Sequence, residues 1–169
     1  MDTIEFIRHL VSAVHSHLDD PMKDMTVEQF NWVPAGTANP VSATFLHCLN
    51  SEDFFVQTIM QGKPRLWEAE GWGEKTGVMN TPGYGGNWEE FKHMTLALEP
   101  LLSYQLMVRA ATCAYLDKLA PDELERKVKF ASGEHTIADM FIHLASHTLC
   151  HAGEIAALKG LQGTKGLPY

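Results

Sequence analysis

Apolar residues at Ile4, Ile7, Val11, Val14 and Leu18 recur three and four positions apart. That spacing lays one apolar stripe along an amphipathic helix, predicted from Thr3 to about Asp19, where Asp19-Asp20-Pro21 ends it. Thr26 and Gln29 have the spacing of a capping box and open a short helical turn through Phe30. Trp32-Val33-Pro34-Ala35-Gly36 reads as a loop. Asn39-Pro40 announces a second helix, since Asn can accept a hydrogen bond from a free first-turn N–H and Pro suits the first helical position. This helix is predicted from Pro40 to about Gln61, with Gly62 as its stop.

Periodicity then fails. Residues 62–87 hold seven glycines and two prolines, with Trp67, Trp72 and Tyr84 among them. So long a connection without a period suggests a lid or binding loop, or equally a surface excursion pinned by its aromatics. Asn87-Trp88-Glu89-Glu90 predicts a helix to about Thr95, and Pro100 predicts a break near Leu98 before a long helix to about Leu119. Pro121 to Val128 reads as a polar turn and Ala131-Ser132-Gly133 as a breaker. Thr136 with Asp139 marks the start of a last helix, which runs to Lys159 and stops at Gly160. No segment reads as a strand and no repeat is present. Four main helices with a long crossover between the second and third predict an all-α four-helix bundle. It forms a single domain over 1–160, and the Gly-rich tail 161–169 is expected to be loose.

Composition narrows the partners. With 169 residues, 45% hydrophobic and 20% charged, the chain has enough apolar material for one core. No run reaches the length of a membrane span, and MDTIEFIRHL has no cleavable apolar core, which predicts a cytoplasmic protein. The formal charge of −8 and the lack of a Lys/Arg cluster argue against nucleic acid and anionic membranes as partners. Cys48, Cys113 and Cys150 are too few and too odd in number for a disulfide framework.

Histidine is the unusual count: nine, with three of them in residues 143–151. At about 100° per residue, His143, His147, His151 and Glu154 share a stripe roughly 80° wide, beside Met140, Leu144, Ile155 and Leu158. Residues four apart on a helix are neighbours, so His147 and His151 can reach one ion. A divalent ion in a catalytic site usually takes three protein ligands and keeps an open position. His47, on the face of the second helix that includes Ala43, Asn50, Ser51 and Phe54, is the best third ligand. The zinc-protease pattern is absent, because Thr148 stands where Glu should follow the first histidine. His143 is read as an outer hydrogen-bonding or core residue rather than a fourth ligand. Glu154 can accept from an imidazole N–H or act as a general base, and is the candidate catalytic residue. Cys48 and Cys150 point about 100° away from their neighbouring histidines and are read as small core residues. His9, His15, His17, His93 and His135 have no evident partner.

Trp32-Val33-Pro34, Asn39-Pro40-Val-Ser-Ala-Thr-Phe-Leu-His47 and His147-Thr-Leu-Cys-His151-Ala-Gly-Glu154-Ile155 together resemble the DinB / YfiT-like superfamily of small bacterial four-helix proteins. The resemblance implies an up-down-down-up bundle with a divalent metal on His47, His147 and His151. It also implies a metal-dependent transferase or isomerase that uses a low-molecular-weight thiol on a small electrophile. Such relatives often carry Gln where this chain has Glu154. On these grounds the open position would stabilise a thiolate, with the electrophile under the 62–87 loop against Trp67, Trp72 and Tyr84. Activation of a water for hydrolysis, or a non-catalytic metal-binding or sensing role, are the alternatives. Imidazole ligands leave Zn, Ni and Fe open. Symmetric dimers are the commonest oligomers, so a homodimer is expected.

Overall fold

The computed structural model describes residues 1–83 and 88–167, and the chain there is mostly helical with one small two-stranded sheet. Helix α1 spans Thr3–Met22 and α2 spans Val27–Asn31. Helix α3 spans Val41–Asp53 and continues as a π-helix over Phe54–Met60. Three short helices follow: α4 (Leu66–Ala69), α5 (Trp72–Thr76) and α6 (Trp88–Phe91). Helix α7 spans Leu98–Leu116, a 3-10 turn covers Pro121–Glu125, strands β1 (Lys127–Phe130) and β2 (Gly133–Thr136) form a hairpin, and α8 spans Ile137–Leu161.

The caps read from the sequence form where side chains can reach free N–H groups. Thr26 and Gln29 bond reciprocally across the start of α2, at 3.2 and 3.0 Å. Thr136 and Asp139 do the same for α8, at 3.1 and 2.9 Å. Asn39 is not a cap: Pro40 holds that position without a side-chain bond, and the helix starts at Val41. Helix α1 outlasts its predicted stop, with Pro21 inside its final turn and buried. The reversal follows at Asp24, whose φ of 56° is a left-handed conformation that Asp tolerates. Pro100 falls in the first turn of α7, where a missing N–H leaves no helical bond unmade.

Three other expectations need correcting. The stretch read as strandless contains a hairpin, with Lys127 opposite Thr136 and Phe130 opposite Gly133. Lys-Val-Lys-Phe does alternate with a period of two, and Ala131-Ser132 is its two-residue turn, with Ala131 at φ 51°. The helix expected to run to Thr95 is only Trp88–Phe91; its proposed cap, Asn87, lies outside the described residues. The 62–87 segment is not structureless, since it carries α4 and α5.

Helix α8 packs on α1 and α3, and α3 packs on α7. One apolar cluster gathers Phe30, Phe45, Leu49, Tyr104 and Ile155; the other gathers Val11, Leu116, Met140, Phe141 and Leu144. A polar line crosses the core. His15 Nε2 meets both Glu52 oxygens at 2.9 and 3.1 Å, and Thr112 donates to Glu52 Oε1 at 2.7 Å. His15, unassigned in the sequence, is therefore a buried partner that joins α1 to α3. Cys48 is buried as predicted, whereas Cys150 is exposed. After α8, Gln162 and Thr164 bond back to Gln29 and Lys159. No helix among the described residues is long and apolar enough to cross a membrane.

Candidate metal centre

Helices α3 and α8 lie against each other and place His47 opposite His147 and His151, one turn apart. One nitrogen from each of the three, all half-buried, lies within 4.8 Å of the other two. The rings sit 4.9, 5.0 and 4.5 Å apart between centroids. His47 Nε2 and His147 Nε2 are 3.0 Å apart. Two imidazole nitrogens on one tetrahedral ion, each about 2.0–2.1 Å from it, would stand roughly 3.3 Å apart. That pair therefore needs little adjustment to hold a cation, and the His151 nitrogen lies within 4.8 Å of both.

The far side of each ring decides which nitrogen can coordinate. His47 Nδ1 donates to the Pro82 carbonyl at 2.9 Å, which leaves Nε2 as its bare nitrogen. His151 Nδ1 donates to Glu154 Oε2 at 2.9 Å, with the same effect. Both bonds fix a tautomer and a ring orientation, as outer partners of metal-ligating histidines commonly do. Between His47 and His147 one nitrogen must donate. With the His47 proton on Nδ1, this contact is a hydrogen bond when His147 carries its proton on Nε2; coordination through that nitrogen requires the Nδ1 tautomer instead.

Burial, reinforced by His151, His47 and His143, pushes His147 down from 6.5 to about 3. Burial, then His151, also lowers His47, against the Pro82 bond that raises it. Neutral imidazole is the form that binds metal. The shift also has a stability consequence. Below pH ~6.5 an unfolded His147 takes up a proton that the folded, metal-free chain does not, so acid favours unfolding. Above that pH both states are neutral and the contribution disappears. Urea titrations of the metal-free protein should show a midpoint that falls as pH drops from about 6.5 towards 4, with a shallower fall in His147→Ala. An equally steep fall in that variant would remove His147 as the cause.

A cavity of about 480 Å³ opens beside the trio. His47 and His147 form part of its lining, Phe54, Phe55 and Phe130 supply apolar wall, and Pro82 comes from the long connection. The wall begins where α3 changes to π winding, a local form often found at functional sites. His143 also lines it, edge-on to Phe55 with centroids 4.9 Å apart, and stands outside the ligand trio. Trp67 and Trp72 do not face this space. Both are buried against Tyr104, with centroids 5.0 and 5.4 Å away. Tyr84 lies outside the described residues.

Polar side chains of α3 pin the connection. Asp53 accepts from Leu66 N and Trp67 N at 3.0 Å and from the Tyr104 hydroxyl at 2.6 Å. Asn50 Oδ1 accepts from Thr81 at 3.0 Å and from Arg65 at 2.7 Å. Arg65 and Phe130 also line the cavity, though neither was singled out from the sequence. Phe130 was legible in the Lys-Val-Lys-Phe alternation; Arg65 carried no signal. Cys48 cannot serve as a nucleophile here, since burial pushes its thiol up to about 12.

The model of the DinB superfamily matches residues 9–155, which include every histidine of the trio. The chain belongs to the DinB superfamily. A crystal structure of a conserved protein from Enterococcus faecalis is similar to this DinB-superfamily chain, with a TM-score of 0.80 at 19% sequence identity. The match covers 97% of this chain and 99% of that one, and it shows a shared fold. Among curated proteins, none matches this chain.

Proposed function

We propose that His47, His147 and His151 hold a divalent metal ion, Zn, Ni or Fe, and that the protein is a transferase acting on a low-molecular-weight thiol and a small electrophile. The observation that carries this reading is the convergence of three imidazoles beside an apolar-walled cavity. Three protein ligands leave one position open, as in catalytic rather than structural sites. The ion would supply positive charge that favours the anionic form of a thiol.

The chain's own residues orient and enclose. Pro82 and Glu154 hold the rings of His47 and His151, and the phenylalanines exclude water from the attacking sulfur. A sulfur–carbon bond forms, the electrophile's bond to its leaving group breaks with the electron pair, and the thiol proton passes to solvent. Glu154 is spent on His151 and does not line the cavity, which favours a positioning role over proton transfer to substrate. The reading includes the up-down-down-up bundle, a cytoplasmic location and a homodimer.

Purified protein should contain about one metal ion per chain and show metal-dependent loss of thiol with an electrophilic aryl halide. Stoichiometric metal with no turnover across a panel of thiols would instead support a metal-binding or sensing role. Glu154→Ala should weaken metal binding by about 10–100-fold, with Glu154→Gln less affected because its amide oxygen can still accept from His151. Competition with a chromogenic chelator measures both. Equal affinity in all three proteins would remove Glu154 from the site.

A further inference from the structure

The cavity lining is unusual for so acidic a chain. With a net charge of −8 overall, the described lining includes Arg65 and no carboxylate. Arg65 is held in place. Its Nε donates to Glu68 Oε2 at 3.0 Å, its Nη2 pairs with Glu68 Oε1, and its Nη1 donates to Asn50 Oδ1 at 2.7 Å. Asn50 is itself only 4% exposed, so the anchor is fixed by the core. A guanidinium has five N–H donors. Three are committed, and the other two, one on Nη1 and one on Nη2, have no protein partner among the described residues. A planar pair of N–H donors suits a carboxylate, which accepts both in parallel. Glu68 already offsets much of the charge, so a monoanion fits better than a phosphate dianion.

We propose that Arg65 is the specificity residue of this cavity and selects a ligand with a carboxylate at one end. The other end reaches the histidine trio, and an apolar stretch lies against Phe54, Phe55 and Phe130. This rests on the metal-and-thiol reading above. It adds that the thiol, or the electrophile that joins it, is a carboxylic acid.

The test uses cobalt-substituted protein, whose sulfur-to-cobalt absorption band reports thiol binding without turnover. The probes are straight-chain ω-mercaptocarboxylates of two to six carbons, each against its primary amide and the plain alkanethiol. At the chain length that spans the cavity, the acid should bind roughly ten- to a hundredfold tighter than the amide, the range expected for a hydrogen bond to a charged group. Arg65→Met should erase that preference, read as the ratio of acid to amide affinity with the alkanethiol measured in the same variant as the reference. Glu68→Gln, which keeps one acceptor for Arg65 beside the Asn50 anchor and removes a competing charge, should increase it. If Arg65→Met does not fold, the wild-type series and Glu68→Gln still decide. A second arm titrates arylalkanoates without a thiol in the presence of bound alkanethiol. Tight binding of these that depends on Arg65 assigns the carboxylate to the electrophile, and preference only among the mercaptoacids assigns it to the thiol. Absence of the absorption band with every thiol would overturn the thiol reading itself. A band with no acid preference at any length would overturn only the role of Arg65.

Discussion

His147→Ala should abolish stoichiometric metal binding while leaving a folded protein. The three rings form a nearly even triangle, and that of His147 lies 4.9 Å from His47 and 4.5 Å from His151. Removing it leaves two imidazoles on separate helices, too few for a tight divalent site. The loss should exceed about a hundredfold, because removal of an outer hydrogen-bond partner alone costs 10–100-fold. The metal-free variant should keep its unfolding free energy to within about 1 kcal/mol, since the ring borders an open cavity rather than a packed core. In the presence of excess metal the wild type gains stability by mass action and the variant does not. Elemental analysis together with denaturation, with and without metal, measures all three effects. Full metal content in the variant would dismantle the site.

Glu52→Ala should produce the largest stability loss of any single polar substitution considered. Glu52 is 3% exposed and is the common acceptor for His15 and Thr112. Burial raises its carboxyl, but the bonds and charges of His15, Thr112 and Arg109 outweigh that and hold it below 4.5. It is therefore charged at neutral pH. Truncation strands the buried ring nitrogen of His15 on α1, while Thr112 on α7 keeps the Val108 carbonyl, 3.2 Å away, as an acceptor. Breaking such a pair costs about 3–5 kcal/mol. For a domain of this size that corresponds to a melting point lower by roughly 6–20 °C. Because Glu52 is anionic in the folded state with a lowered pKa, its contribution is present above pH ~4.5 and is lost as acid protonates it. Calorimetry of Glu52→Ala at neutral pH is the check; a fall of less than about 1 kcal/mol would show that the network contributes little.

The helices were legible because their signals are local. The stripe of α1 and the Thr136/Asp139 cap lie within a few residues of the groups they organise. The pair His147 and His151 was legible for the same reason. His47 came from its helix face and from resemblance, and the structure brings it to the pair across a separation of 100 residues. The hairpin was missed because Lys-Val-Lys-Phe is only four residues long and its turn uses Ala131 where glycine would have advertised it. His15 with Glu52, and Arg65 with Asn50, left no trace in the sequence. Each member of those pairs is ordinary alone and acquires its role only when different segments of chain pack together. The aromatics of the long connection misled for a related reason: Trp67 and Trp72 look like ligand walls in a glycine-rich stretch, yet Tyr104 offers them a core to enter.

The bond from His47 Nδ1 to the Pro82 carbonyl joins the first candidate ligand to the backbone of the connection that contributes Pro82 to the cavity wall. Coordination through Nε2 makes Nδ1–H a stronger donor, so an ion at the trio tightens its hold on that backbone. Linkage makes the relation reciprocal: whatever steadies the Pro82 segment raises metal affinity by the same factor. Amide hydrogen exchange around Thr81 and Gly83 should therefore slow on metal loading, and metal release and the opening of that segment become two views of one equilibrium.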